Sequence, residues 1–383
     1  MEQEQPKTIT PPQKASWAKI HRELILRIGL FMLGAVIGAG FYWLASNNFF
    51  LGRHLAVSDD TPTVQNQYSP SKQVSAYLVW WDQDSGFASL QANKDKISTV
   101  HPVWYRIQAD GTVEKFTGAE NAQIIQFAKD NNIKIIPTFT NDCDPAASEA
   151  VLQNSSLMTA HINTIAQLVA DNGYDGADIN YECLAGQPLR GAFSSFLTSL
   201  SQALHGDGKL LTTSVHQKTN DAGSWDGPAA QDWAVINEVC DQIKIMTYDY
   251  HWATSEAGDI APLAWMRDTL VYAQTILNPQ KTYLGIHFYG YDWVGMAAVD
   301  LTYQAVADMI SGLNPTINVS GEDEKYFTYP SESQTHTVYF ADKDVVLPRI
   351  ELANEYDIAG IGVWRLGGED PANWQAIADE FGI

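Results

Sequence analysis

From residue 73 onward, short apolar runs alternate with longer stretches that carry apolar residues at helical spacing. Alternate side chains of a strand point the same way, whereas those of a helix recur every three to four residues. The apolar runs predict eight strands, at 75–81, 100–107, 134–140, 176–181, 210–216, 242–248, 282–289 and 360–366. The stretches between them predict helices, among them 119–131, 157–172, 192–205, 263–277, 345–356 and 371–381.

This alternation has the form of one common architecture. Eight strands alternating with helices over about 310 residues predict an α/β fold, the (β/α)8 TIM barrel. Residues 292–343 break the alternation and predict a small α+β insertion after the seventh strand, with a hairpin formed by 325–329 and 335–340. In such barrels the active site lies at the carboxyl ends of the strands. Polar and aromatic residues at those ends are therefore the candidates for function.

The N-terminal 72 residues follow a different pattern. Residues 28–45 carry no charge and the uncharged run continues to Gly52, which is long enough to cross a bilayer core. Basic residues outnumber acidic ones just before it, so the positive-inside rule places the N-terminus in the cytoplasm. We predict a cytoplasmic segment at 1–23, a single-pass transmembrane signal anchor in the lipid bilayer at 24–45, a linker at 46–72, and an extracellular or periplasmic domain at 73–383. The alternative is a cleaved signal peptide, but the long N-terminal region and the lack of a clear cleavage site favour a retained anchor.

The charge of the chain limits its partners. The net charge is −22, and residues 1–72 contribute seven basic and five acidic side chains, so residues 73–383 carry −24. Such a domain is unsuited to nucleic acid or to an anionic membrane surface, and it fits a neutral or cationic substrate. The 12 Trp and 17 Tyr either fill the core or supply flat faces for sugar rings.

The most informative stretch runs from Tyr174 to Glu182 and reads Y-D-G-A-D-I-N-Y-E. As a strand, it projects Asp178, Asn180 and Glu182 from one face, each about 7 Å from the next. Three acid or amide groups in a row are costly on a buried face unless that face is a working cleft. Glu182 comes last, where the strand opens into a loop.

This stretch resembles the D-G-x-D-x-D-x-E signature of glycoside hydrolase family 18, the chitinase family. Asp175, Gly176, Asp178 and Glu182 match it, whereas Asn180 stands where the family usually has Asp. The M-T-Y-D of 246–249 and the I-G-V-W of 361–364 are similar to the family's sixth and last strands. The resemblance covers nearly all of 73–383. The runs M-T-Y-D-Y-H-W and L-G-I-H-F-Y-G-Y-D-W are similar to the branch with spore-cortex-lysing N-acetylglucosaminidases and chitinase-domain lectin-like proteins.

The resemblance implies a barrel glycosidase that needs no cofactor, and it implies roles for five catalytic candidates. Glu182 is the acid and then the base. Asn180 holds the substrate's acetamide, and Asp178 supports Asn180 from below. Tyr248 donates to the acetamide oxygen, and Asp249 contacts the sugar or tunes Glu182.

Spacing along the strand favours a mechanism with one protein carboxyl. Retaining glycosidases with two carboxyl groups need them about 5 Å apart, and inverting ones need roughly 6.5–9.5 Å. On this strand, the residue at a suitable distance from Glu182 is Asn180, whose amide can act neither as nucleophile nor as base. Asp178 is about 13 Å from Glu182 by strand rise. The substrate's own acetamido oxygen would then be the nucleophile.

Other residues at the strand ends are candidates for substrate binding. They are Trp81, Trp104, Tyr105, Asn141, Asp175 and Trp364, the last of which the resemblance places under the sugar ring. Two substrates remain open, chitin oligomers and peptidoglycan, and both are β-1,4-linked polysaccharides that contain N-acetylglucosamine. The alternative from another class is a glycan-binding protein that has lost catalysis through Asn180.

Cysteine and histidine usage adds little further chemistry. Loops after neighbouring strands hold Cys143 and Cys183, so a disulfide between them is plausible, and Cys240 is expected to be buried and inert. No Cys or His spacing in the sequence is typical of a metal site. We interpret His216 and His251 as structural residues at the edge of the cleft.

Overall fold

The structure is a computed structural model that describes residues 71–383. The predicted cytoplasmic segment 1–23, the anchor 24–45 and all but the end of the linker 46–72 lie outside the described residues. Within 71–383, none of the helices combines the length and the apolar character needed to cross a bilayer.

The described residues form a closed parallel barrel, as predicted. Its eight strands in chain order are Gln73–Val79, Thr99–Ile107, Lys134–Ile135 continued by Thr138–Thr140, Gly176–Asn180, Leu210–His216, Gln242–Met246, Thr282–His287 and Gly360–Trp364. The first strand pairs in parallel with both the second and the eighth, which closes the barrel. All eight predicted strands are present, and five of them end one or two residues earlier than the apolar pattern predicts.

Helices cover the outside of the barrel, and one, Tyr303–Leu313, belongs to the insertion. Those described are Gln83–Ala92, Ala122–Asp130, Pro145–Leu152, Ser155–Asn172, Gln187–Gly206, Asp226–Ala229, Trp233–Val239, Leu263–Ala273, Tyr303–Leu313, Lys343–Glu355 and Asn373–Phe381. The six helices named from the sequence are confirmed. The sequence pattern missed shorter ones such as Pro145–Leu152, which depends on its cap: the side chain of Asp144 accepts hydrogen bonds from the backbone amides of Ala146 and Ala147.

The predicted insertion is an antiparallel five-stranded sheet with its own small core. Its strands in spatial order are Ala297–Leu301, Gly290–Val294, Gln334–Phe340, Lys325–Ser331 and Asn318–Val319. The predicted hairpin is confirmed, and its turn residues Glu332 and Ser333 both take positive φ, which suits a two-residue hairpin turn. Helix Tyr303–Leu313 packs on this sheet through Val306.

Polar side chains fill part of the barrel interior beneath the strand ends. Asp178 pairs in register with Thr138 on one side and Thr212 on the other. Lys244, two strands away from Asp178, is also buried. Buried polar groups need partners, so this layer is built around contacts between strands.

Candidate active site

A cleft of about 760 Å³ opens at the carboxyl ends of the barrel strands. This is where ligands bind in barrels of this class. Its walls combine acid, amide and hydroxyl groups with aromatic rings. The lining residues used below are Tyr77, Asn180, Glu182, His216, Trp225, Tyr248, Asp249, Trp252, Trp265 and Trp364.

Glu182 lies just after the fourth barrel strand, and its backbone is clamped by Asn141. The side-chain oxygen of Asn141 accepts from the Glu182 amide at 2.8 Å, and its Nδ2 donates to the Glu182 carbonyl at 2.7 Å. Burial in the cleft raises the pKa of Glu182 to about 7; a hydrogen bond from Asn180 opposes the rise, and the charges of Asp249 and Asp142 add to it. A carboxyl with this pKa is protonated over part of the neutral range and can act as an acid.

Asn180 lies beside Glu182 and presents a free acceptor. Its Nδ2 donates to Oε1 of Glu182 at 2.9 Å. Its Oδ1 is buried and has no hydrogen-bond partner within residues 71–383. A buried acceptor without a partner is costly, so this oxygen is poised to receive an N–H donor from a ligand.

Asp178 lies below Asn180 and is fully buried. It does not line the cleft. Burial is the largest single influence and on its own would raise the pKa of Asp178, but the charge of Lys244 together with hydrogen bonds such as that from Thr212 keeps the pKa below its ordinary value. Asp178 therefore stays ionised under the floor of the cleft.

Tyr248 and Asp249 follow the sixth strand, as the sequence predicted, and both line the cleft. Asp249 takes a left-handed backbone with φ of 58°. Its Oδ1 accepts from the hydroxyls of Tyr289 and Tyr291, and the latter belongs to the first strand of the insertion. Asp249 faces the open cleft, yet protein surrounds it on its other sides, and this burial raises its pKa. The insertion thus helps to hold one acid of the site.

Aromatic rings flank these polar groups. Trp364, at the end of the eighth strand, lines the cleft, and its ring centroid lies 5.4 Å from that of Tyr77. A second cavity of about 350 Å³ shares Asp249 and Trp364 with the cleft and reaches Trp81, whose side chain is 52% exposed. Trp81 is therefore near the site, along a continuation of the same groove.

Three tryptophans at the site escaped the sequence analysis, as did Tyr77 on the first strand. Trp225, Trp252 and Trp265 line the cleft, and the first two are about half exposed. They lie in loops or on a helix rather than in phase with a strand, so the strand-end rule does not reach them. Large exposed apolar side chains are the signal that marks such positions as binding surfaces.

Four of the six predicted substrate-binding residues line neither the cleft nor the second cavity, and Trp104 and Tyr105 are two of them. Trp104 and Tyr105 are fully buried: the indole N–H of Trp104 donates to Gln83, and the Tyr105 hydroxyl donates to Glu120. Their pairing with the third strand shifts register between Val103 and Tyr105, which changes the faces to which these residues point. The strand continues to Ile107, so neither residue ends it.

Asp175 and Asn141 are the other two, and both side chains make contacts within the protein. Asp175 precedes the fourth strand at the amino end of the barrel, where its carboxylate accepts from the Ile135 amide at 2.8 Å. Asn141 is 1% exposed and holds the backbone of Glu182. It is a positioning residue rather than a sugar contact.

The cysteines and histidines follow the sequence interpretation. Cys143 and Cys183 form a disulfide between the loops after the third and fourth strands, and Cys240 is free and buried. His216 lines the cleft, and its Nε2 accepts from the Cys183 amide at 3.4 Å. His251 donates through Nδ1 to the Asp259 carbonyl at 2.9 Å, which is a structural contact.

A closed (β/α)8 barrel whose cleft combines carboxyl groups of raised pKa, on Glu182 and Asp249, with aromatic walls defines a glycosidase-like enzyme. The chain belongs to the glycosyl hydrolases family 18, whose sequence profile matches residues 73–369. This assignment confirms the resemblance found in the signature stretch and the expectation of a glycosidase.

Individual relatives agree with the family. A Bacillus subtilis (strain 168) protein named as a sporulation-specific glycosylase, YdhD, is 32% identical over 232 residues, or 58% of this chain and 54% of YdhD. The chain thus spans about half the length of that relative. The cortical fragment-lytic enzyme of the same strain is 24% identical over 328 residues, or 83% of this chain and 72% of the enzyme.

Solved structures show the same fold. A chitinase from Chromobacterium violaceum ATCC 12472 superposes with a TM-score of 0.76 and 24% identity, covering 81% of this chain and 99% of that one. The Bacillus cereus spore cortex-lytic enzyme SleL gives a TM-score of 0.75 and 23% identity, with 81% and 74% covered. These likenesses confirm the predicted barrel.

Proposed function

We propose that this protein hydrolyses β-1,4-linked glycans containing N-acetylglucosamine, with retention of configuration and with the substrate's acetamido group as nucleophile. One observation carries the proposal. The carboxyl of Glu182, with a pKa near 7, is hydrogen-bonded on its own strand face to an amide, Asn180, where a second carboxyl would otherwise supply the nucleophile or base.

The reaction follows from the groups in the cleft. Glu182 donates its proton to the glycosidic oxygen, and the bond from that oxygen to C1 breaks. The acetamido oxygen bonds to C1 and gives a cyclic oxazolinium ion, while the leaving sugar departs as an alcohol. Water then attacks C1 as the bond between C1 and the acetamido oxygen breaks, and it transfers a proton to Glu182. This restores the acetamide and the acid and retains the configuration at C1.

Neighbouring groups hold the reacting acetamide. The unpartnered Oδ1 of Asn180 accepts its N–H, and the Tyr248 hydroxyl donates to its oxygen. Trp364 provides an aromatic surface for the sugar ring. Asn180 is neutral and cannot oppose the positive charge of the oxazolinium ion, so we propose a slower enzyme than one with a carboxylate at this position.

The variant Asn180→Asp tests this account of Asn180. We expect kcat on chitotetraose to stay equal or rise up to about tenfold, because a carboxylate accepts the same N–H and adds stabilising charge. Asn180→Ala is the matched comparison and should lose activity, since it removes the acceptor. A tenfold or greater loss of kcat in Asn180→Asp would contradict the role given to the neutral amide.

The substrate is the second part of the proposal. The cortical fragment-lytic and chitinase relatives support two polymers, peptidoglycan and chitin. Incubation with chitin oligomers and with purified peptidoglycan, followed by mass spectrometry, should yield fragments that carry a reducing N-acetylglucosamine end. Affinity for both polymers without any product would instead favour the alternative, a glycan-binding protein that does not turn over.

We also propose that the domain acts outside the cytoplasm, as a membrane-anchored enzyme with its N-terminus inside. The apolar run at 24–45 supports the anchor. The disulfide between Cys143 and Cys183 supports an oxidising compartment, since such bonds are rare in the cytosol.

A further inference from the structure

Lys244 is a buried cation directly below the candidate active site. Its side chain is 2% exposed, and its Nζ lies 2.8 Å from Oδ1 of Asp178 as an ion pair. A glycine on the eighth strand, Gly362, leaves room for it, because a Cβ there would lie 3.3 Å from Cγ of the lysine. Burying such a pair costs solvation energy that is not always recovered in stability. The Lys244–Asp178 pair is therefore better explained by its effect on neighbouring residues than by stability.

Four groups surround the carboxylate of Asp178. Oδ1 accepts from the Thr212 hydroxyl at 2.7 Å, and Nζ of Lys244 lies 2.8 Å from it as an ion-pair contact without hydrogen-bond geometry. Oδ2 accepts from Thr138 at 2.9 Å and lies 3.4 Å from the Tyr77 hydroxyl, which is also 2.5 Å from Ser214. A further donor to Asp178 would have to compete with these four neighbours.

These neighbours favour one direction for the amide of Asn180. Asp178 and Glu182 flank Asn180 on the same strand face, and each could accept from its Nδ2. Because four groups compete for the oxygens of Asp178, Nδ2 donates to Glu182, and Oδ1 is left without a partner. If one of these groups were absent, the amide could donate to Asp178 instead and leave Glu182 without this hydrogen bond.

We propose that Lys244 is a positioning residue: by holding Oδ1 of Asp178 in an ion pair, it directs the Asn180 amide toward the catalytic acid and its carbonyl toward the substrate. The inference rests on the proposed function, since it assigns Asn180 and Glu182 the roles given there. It adds a residue on the sixth strand that contacts neither substrate nor Glu182.

The charged groups around Asp178 and Glu182 affect the pKa of Glu182, which is the quantity measured in the test below. Besides Lys244, His101 faces Asp178, and burial lowers the pKa of His101 to about 3, so it is neutral. Asp249 and Asp142 act on Glu182 through their charge. The Asn180 hydrogen bond stabilises the carboxylate of Glu182, so losing it raises the pKa of that acid.

Two variants each take one neighbour away from the Asp178 carboxylate. Lys244→Met removes the cation of the ion pair and keeps a side chain of similar length. Thr212→Val removes one hydroxyl, keeps the ion pair and the net charge and alters little volume, so it remains informative if Lys244→Met does not fold. The matched control is Lys325→Met, which removes the cation of another ion pair, the one between Lys325 in the insertion and Asp342 at 2.6 Å.

The pKa of Glu182 is read in the ligand-free protein by ¹³C NMR of its carboxyl carbon, so the readout does not depend on turnover. We expect an increase of about one pH unit in both test variants and no change in the control. On chitotetraose, KM should rise about tenfold, because Asn180 no longer presents its acceptor.

An unchanged Glu182 pKa in the folded test variants would overturn the inference and leave the proposed function standing. An increase of equal size in the control would also overturn it, because a general loss of stability would then be the cause. If the unaltered protein binds chitotetraose but never cleaves it, the proposed function fails instead, whatever the NMR titration shows.

Discussion

Glu182→Gln is expected to abolish hydrolysis of chito-oligosaccharides while leaving the barrel folded and ligand binding intact. A glutamine has nearly the same shape but no proton of suitable acidity for the leaving oxygen. Loss of a general acid costs about 10² to 10⁴ in rate. Since the adjacent position on its strand face holds the amide of Asn180, and Asp178 is buried below the cleft, we expect at least about 10³. Initial rates on chitotetraose give the turnover, and calorimetric titration gives the binding.

The control for this variant is Glu238→Gln, an exposed position on helix Trp233–Val239. It should keep the full rate, because its charge lies outside the cleft. Activity of Glu182→Gln within tenfold of the unaltered protein would remove Glu182 from the proton-donor role.

The same substitution should change how stability depends on pH. Burial raises the pKa of Glu182 from 4.5 to about 7. A raised pKa gives stability that is complete below the unfolded value and is lost as pH rises through the folded value, here between about 4.5 and 7. At pH 8 this ionisation costs up to about 3 kcal/mol, which Glu182→Gln avoids. The variant should therefore melt at a higher temperature than the unaltered protein at pH 8, and the gain should vanish at pH 4.

A glucan without nitrogen at C2 is expected to pass through the cleft uncut. Cellotetraose has the same β-1,4 linkage as chitotetraose but lacks the acetamido oxygen that attacks C1 in the proposed reaction. An intramolecular nucleophile is worth effective concentrations of 10⁵ M or more, so its absence should reduce the rate by at least about 10⁴. Chromatography of the products from both oligomers at equal concentration measures the ratio.

Partly deacetylated chitin oligomers are the control for size and linkage in this experiment. Cleavage should follow only those sugars that keep their acetyl group, because the sugar whose C1 is released must supply the nucleophile. Hydrolysis of cellotetraose at a rate comparable with chitotetraose would mean that a protein carboxylate attacks C1, and Asp249 would then be the first candidate.

The sequence by itself determined the barrel and the centre of the site. Period-two alternation and apolar runs are local properties of a strand, so all eight barrel strands could be predicted. The rule that barrel sites lie at the carboxyl ends of strands then selected Glu182, Asn180, Tyr248, Asp249 and Trp364, all of which line the cleft. Each of these residues lies at or just after the end of a strand, so the sequence of that strand alone is enough to select it.

Tertiary structure alone decided which residues support that centre. Trp104 misses the cleft because of a register shift against a neighbouring strand. Asn141 reaches the Glu182 backbone from one strand away, and Lys244 reaches Asp178 across the barrel from two strands away. Such contacts depend on register and stagger between strands that are far apart in the chain, and hydrophobic patterning within one strand carries no information about either.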